Sequence, residues 1–215
     1  MAPSQVPARR LSADQRRQQI LGTARELMRV RGLDEVSVET AAQQAGVSPG
    51  LLFHYFGSQR GFRDAVVELV AQELLEQIAP DPALSAAGQL RSGIERFIDF
   101  VARHPTLYQA VVRHGARGGA GRMATLHRAA RTTLAQWITD AVTGAGAQAS
   151  PRIALAVAGW LAFMEEAVLG WLAGADLTRD GLVELCERTA YQVLETAVGD
   201  PQRWPAIRAA FDLSP

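Results

Sequence analysis

A chain of 215 residues, 48% apolar and 20% charged, has material for a core and too little charge for a disordered polymer. Its formal net charge is zero, so no bulk excess of basic groups announces a polyanionic partner. A single cysteine, Cys186, excludes an internal disulfide and fits a reducing, cytoplasmic compartment.

The charge is unevenly spread. Residues 1–63 hold nine Arg against five Asp or Glu, a balance of +4, and residues 64–215 hold thirteen against seventeen, or −4. A basic front on an acidic body is a modest footprint for a polyanion. Residues 1–11 contain two prolines and the pair Arg9-Arg10 and read as a flexible arm. With no apolar run, the first 17 residues do not read as a secretory signal.

Ser12 with Gln15 forms a capping box, and Ile20, Leu21, Ala24, Leu27 and Met28 follow at helical spacing until Gly32. Ser37 opens a short helix over 38–45, with Ala41, Ala42 and Ala45 on one face and Gly46 ending it. Ser48-Pro49, a cap and then proline at the first helical position, opens another over 49–56. Gly57-Ser58 resets the chain for a long helix to about 78. Further helices are predicted near 84–103, 106–114, 121–143, 151–174 and 178–198, separated by Pro- and Gly-rich breaks. No window alternates at period two. The expectation is an all-α chain of about nine helices.

Several patterns suggest chemistry that this setting does not support. Gly46-Val47-Ser48-Pro49-Gly50 satisfies G-x-S-x-G, but a nucleophile elbow needs a strand entering the turn, and "VETAAQQA" before it is helical. Gly119, Gly121 and Ala124 with Asp140 mimic a dinucleotide fingerprint, which needs a βαβ unit. His104, His114 and His127 lack metal-ligand spacing. No catalytic residue, metal or cofactor is expected. The apolar run 153–174 carries Glu165 and Glu166 at its centre, which favours a buried helix over a membrane span.

Two short helices joined by a tight glycine turn are the parts of a helix-turn-helix. The alanines of the first allow close approach, and Val47, Leu52 and Phe56 fill the wedge between the two. Ser48, Pro49, Gly50, Leu51, His54 and Tyr55 then face outward on a cylinder about 10–12 Å wide, which fits a DNA major groove about 12 Å across. "SVETAAQQAGVSPGLLFHYFGSQRGFRDAV" resembles the DNA-binding region of the tetracycline-repressor (TetR) family of bacterial transcriptional regulators. The resemblance covers roughly residues 12–65.

It implies a homodimer on a palindromic double-stranded operator, with a helix-turn-helix domain at 12–60 and a ligand-binding and dimerisation domain at 61–215. Occupation of a pocket in the second domain by a small-molecule effector usually releases DNA in that family, which makes a repressor the expected role. By resemblance, Ser37 contacts phosphate at a helix N-terminus, Ser48, Pro49, Gly50 and Leu51 start the groove-facing helix, and His54 and Tyr55 grip phosphates or bases. Three positions depart from the family pattern. Phe53 replaces a common Tyr and is read as packing, Gln59 stands where a Lys commonly anchors phosphate beside Arg60, and Glu39 stands where an Arg is common.

In the second domain, Trp160, Met164, Ala167 and Trp171 share a face of one helix, with a second apolar stripe over 182–194. The resemblance would pair these helices with a twofold mate, with Gly159 and Gly170 permitting close approach; the alternative is a monomer that hides the same surface internally. Phe97, Phe100, Val101, Leu107, Tyr108, Val111, Trp137, Trp160, Phe163, Met164 and Trp171 are candidates to line an apolar pocket. Two carboxylates inside an apolar helix need partners. Arg128 and Arg131 are candidates, and Glu166 facing the pocket would favour a cationic effector. The alternative function is an all-α small-molecule-binding protein or enzyme with no DNA role.

Overall fold

The computed structural model describes residues 11–31, 36–116 and 121–213, all helical or in turns between helices. Ten α-helices run in order: α1 Ala13–Arg31, α2 Val38–Ala45, α3 Pro49–Phe56, α4 Gln59–Ile78, α5 Ala86–Arg103, α6 Pro105–Ala116, α7 Arg122–Gly144, α8 Pro151–Leu172, α9 Arg179–Val198 and α10 Trp204–Asp212. Arg9, Arg10 and the Gly32 stop lie outside the described residues.

Most helix starts are the side-chain caps that the sequence advertises. Ser12 and Gln15 exchange hydrogen bonds of 3.0 and 3.1 Å. Ser85, Ser150 and Thr178 each accept an amide from three residues on. Such caps satisfy N–H groups that have no partner inside the helix.

The tenth helix corrects the expectation of nine. Trp204, Ile207 and Phe211 are spaced three and four apart, and all three are buried. The signal was present in "RWPAIRAAFD", a proline near a helix start followed by a helical apolar stripe.

The chain divides into two compact units, Met1–Val70 and Ala71–Pro215, with the division inside α4. That point lies ten residues beyond the expected boundary after residue 60, because Phe62, Val66, Val67 and Val70 are almost fully buried and belong to the first unit. The first unit's core also takes Ile20, Leu21, Ala24 and Met28 from α1, with Ala41, Ala42 and Leu52.

In the second unit one cluster joins Ile94, Phe97, Ile98 and Val101 of α5 to Val157, Trp160 and Met164 of α8 and to Leu182, Cys186 and Leu194 of α9. Each such side chain contributes about 1.5–3 kcal/mol on burial. Burial pushes the Cys186 thiol up to about 11, so it packs as a small apolar group rather than reacting as a thiolate. Helix α8 is long and apolar enough to cross a membrane by length and composition alone. Six of its residues are buried in this core, and Leu155 is left exposed.

Candidate nucleic-acid interface

Local chemistry sets the geometry of α2, the turn and α3. Ser37 Oγ accepts from the Thr40 amide at 3.1 Å, while Thr40 Oγ1 accepts from the Ser37 amide at 3.0 Å. Gly46 ends α2 in the left-handed region, φ 66°, and its N–H donates to Ala42 O and Gln43 O. A β-carbon disfavours that conformation, so glycine is required there. The Val47 amide returns to Ala42 O at 3.0 Å. One residue later Ser48 Oγ accepts from the Leu51 amide at 3.3 Å and Pro49 starts α3.

The rotation of α3 about its axis is fixed by two anchors. Leu52 is fully buried. Phe56 meets Phe62 edge to face at 5.2 Å, and the Arg17 guanidinium covers its ring at 5.3 Å. The opposite face turns outward: Ser48, Pro49, Gly50, Phe53 and His54 are exposed, and Leu51 and Tyr55 are half-buried. The rings of His54 and Tyr55 lie edge to face at 5.6 Å, which stiffens this aromatic pair.

Three placements revise the sequence reading. Phe53 is 43% exposed rather than packed, because Leu52 and Phe56 already occupy the inner side of α3. Gln59 is not free to anchor a phosphate as a lysine would be: its Oε1 accepts from the Val38 amide at 2.7 Å and its Nε2 donates to Val36 O at 3.0 Å. Arg63 Nε reaches the same carbonyl at 3.3 Å. The amide of Gln59 thus ties the start of α4 to the start of α2. Val47, expected in the wedge, is only half-buried.

Glu39 is exposed in the first turn of α2, where the helix dipole favours a carboxylate. Arg60 is exposed beside Gln59. The turn into α4 is tight: a β-carbon on Gly61 would collide with Phe56 O, so glycine is needed for this close approach.

The second unit holds an apolar cavity of about 90 Å³. Of the expected pocket residues, Phe97, Trp137, Trp160 and Met164 line it. Phe100 instead packs on the His104 ring at 4.6 Å, and Tyr108 meets Phe97 edge to face at 5.6 Å without reaching the wall. Val101 is fully buried in the surrounding core, and Phe163 is half-buried off the wall. Ile78, Leu90, Ile138 and Phe211, which were not anticipated, complete much of the lining.

Glu166 does not face the cavity; it is exposed. Its neighbour Glu165 points inward and is already matched: Oε1 lies 2.9 Å from His127 Nε2 and Oε2 accepts from Arg131 Nη1 at 2.7 Å. Arg131 also donates to Ala158 O at 2.7 Å. Of the two arginines considered as partners, Arg131 is the one that binds this carboxylate.

A capped two-helix turn that presents the outer face of its second helix, followed by an all-helical unit with an apolar cavity, defines a helix-turn-helix DNA-binding regulator. Residues 20–66 match the family model for bacterial regulatory proteins of the tetR family, and residues 86–192 match that for the tetracyclin repressor-like C-terminal domain. The chain belongs to the tetR family.

It is 33% identical over 64 residues to the HTH-type transcriptional regulator BetI of Stenotrophomonas maltophilia, a match covering 30% of this chain and 33% of BetI. The chain thus aligns with about a third of the length of the curated relatives it matches. A tetR-family transcriptional regulator from Streptomyces coelicolor superposes with a TM-score of 0.76 at 24% identity, covering 93% of this chain and 90% of that one. A TetR-like transcriptional regulator from Rhodococcus sp. RHA1 gives 0.62 at 26% identity, covering 86% and 98%. These relatives are transcriptional regulators, not enzymes.

Proposed function

We propose that the protein is a cytoplasmic homodimeric repressor that binds a palindromic operator through α3 and is released from it by a small-molecule effector held in the second unit. The observation that carries this reading is the outward face of α3, where Pro49, Gly50, Phe53 and His54 stand free of the core. Gly50 lets backbone approach a base edge. Leu51 and Phe53 suit a thymine methyl, and His54, Tyr55 and Arg60 suit phosphates or base acceptors.

Ser37, with its hydroxyl in a local cap, and Ser48 place helix starts near the backbone. Glu39 repels phosphate and fits only where a base amine can donate to it. Gln59 serves by holding α2 and α4 in register.

Dimerisation is assigned to α8 and α9. Leu155 is 74% exposed and Leu185 43%. Gly159 and Gly170 have open space where a side chain would stand, so a mate can approach closely there. Two α3 helices about 34–36 Å apart would meet successive major grooves. The effector acts only to the extent that it binds the DNA-incompetent state more tightly.

The test is a mobility shift on palindromic fragments that the protein selects from its own genome. Binding should follow a dimer and weaken steeply as salt rises. His54→Ala and Arg60→Ala should weaken it with no change in Tm, and Arg60→Ala should lower the salt slope by about one. A monomer in solution, or binding that ignores both substitutions, would defeat the assignment.

A further inference from the structure

We infer that the effector is a small, uncharged, apolar molecule, and that the cavity of the second unit recognises it by excluding ionised groups. This deepens the ligand-release reading above and rests on it.

The wall is the first argument. Trp137, Trp160, Phe97, Met164, Leu90 and Phe211 present carbon to the cavity, and no Asp, Glu, Arg or His takes part in the lining. Besides the indole N–H groups of the two tryptophans, Gln89 supplies the one polar side chain among the described lining residues, and its Nε2 already donates to Leu84 O at 2.9 Å. Trp160 has its polar edge satisfied elsewhere, since Nε1 donates to Cys186 O at 3.0 Å. A carboxylate or ammonium brought into this space would lose its hydration and meet no counter-charge.

The charged groups beside the cavity close the other routes. Glu165 has its two oxygens committed to His127 and Arg131, a neutralised cluster with no spare carboxylate for a cation. Glu166, the one unmatched acid of that helical turn, stands at the surface. Size sets the remaining limit. A cavity of about 90 Å³ restricts the guest to a small molecule, and a short alkyl chain is the matching probe. An apolar guest in this space takes the carbon of the wall out of water and gains contacts with it.

The experiment titrates the full-length chain with 1-hexanol, hexanoate and hexylammonium, and with alkanols from butanol to octanol. Trp137 and Trp160 report occupancy by fluorescence from the cavity wall. Hexanol should bind at least tenfold more tightly than either ion, with affinity rising about fourfold per added methylene until the cavity is full. Ala141→Leu, which places a larger side chain on the wall, should weaken hexanol binding more than tenfold while the helical circular-dichroism signal is kept. Gly93→Leu is the second blocking variant; its β-carbon would sit 3.8 Å from Ile78 O, an ordinary contact, and the same circular-dichroism check applies to it.

Ions that bind as well as the alcohol, or blocked but folded variants that bind it unchanged, overturn the inference. A parallel mobility shift separates the two readings. A charged compound that strips the protein from DNA without touching the cavity refutes the uncharged effector and leaves the regulator standing. Neutral ligands that saturate the cavity yet leave DNA bound refute release through this site while the recognition chemistry holds.

Discussion

Leu52 of α3 and Trp160 of α8 are both hidden, at 0% and 4% exposure, but the helices around them are used differently. Leu52 is the only buried residue of its eight-residue helix, so most of α3 turns to solvent. Trp160 is one of six buried positions in α8, which spends one face on the core and leaves Leu155 exposed on another. A short helix with one buried residue displays its chemistry in the order of its sequence. In a core helix, residues that wall a cavity and residues that merely fill space are of the same types. On the proposed function, DNA recognition would therefore be written openly in α3, and ligand recognition in the second unit would be written in carbon.

The sharpest way to break this comparison is at the anchor. Leu52→Ala should cost about 2–5 kcal/mol, because the site cannot fully collapse around the lost side chain. It should also abolish operator binding by loosening α3. Leu51→Ala, one position away and half-buried, should weaken DNA binding with little effect on thermal unfolding. Denaturant titration of both variants, alongside a mobility shift, separates anchor from contact. If Leu52→Ala were as stable as the parent, the orientation assigned to α3 would be wrong.

A smaller effect is expected at the acidic pair of α8. Glu165→Ala removes the shared partner of His127 and Arg131 and should cost about 1–3 kcal/mol, since a charged group left half-buried loses a strong hydrogen bond. Glu166→Gln should change stability by no more than about 0.5 kcal/mol, as expected for an exposed position. The two acids are adjacent in sequence but about 100° apart around the helix, which is why hydropathy could not tell which one turned inward.

Gln59 gives an intermediate case. Gln59→Ala should cost about 1–2 kcal/mol by freeing the Val38 amide and the Val36 carbonyl together. Gln59→Glu retains an acceptor for Val38 but loses the donor to Val36, so it should restore only part of that stability. Hydrogen exchange at the Val38 amide reads the difference: fast in Gln59→Ala, slower in Gln59→Glu. Equal exchange in all three proteins would show that the amide bridge holds nothing.

These residues also mark how far the sequence could be read. Gly46, Ser48 and Pro49 were legible because caps and tight turns depend on neighbours within five residues. Gln59 was not, since its partners lie 21 and 23 positions earlier and are met only through the tertiary fold. The family pattern, which places a lysine there, pointed instead to phosphate. Phe53 was misjudged because an apolar residue suggests packing until its neighbours are seen to fill the inner face. In the second unit, Phe97, Trp137, Trp160 and Met164 were found on the wall, and Phe100 and Tyr108 were not. All six are large and fall on apolar helix faces, and only the positions of α7, α8 and α10 decide which ones border the empty space.

A further small effect is expected on the surface of the second unit, where the core is at its edge. Arg179 Nε and Nη2 donate to the two oxygens of Asp99 at 2.6 and 2.8 Å, joining α5 to α9. These hydrogen bonds hold the Asp99 carboxyl below its ordinary 3.8. A carboxyl whose folded pKa is depressed contributes stability that is complete above the ordinary pKa and fades as pH falls through the folded one. Both side chains are partly open to solvent, 39% and 48% exposed, so screening limits the contribution to less than about 1 kcal/mol. Asp99→Asn should therefore lower Tm slightly at pH 7, and the gap to the parent protein should narrow steadily as the pH is taken below 4. A gap that stayed constant into strong acid would mean that Asp99 acts through packing or a neutral hydrogen bond, and that the charge on this bridge contributes nothing to holding α5 against α9.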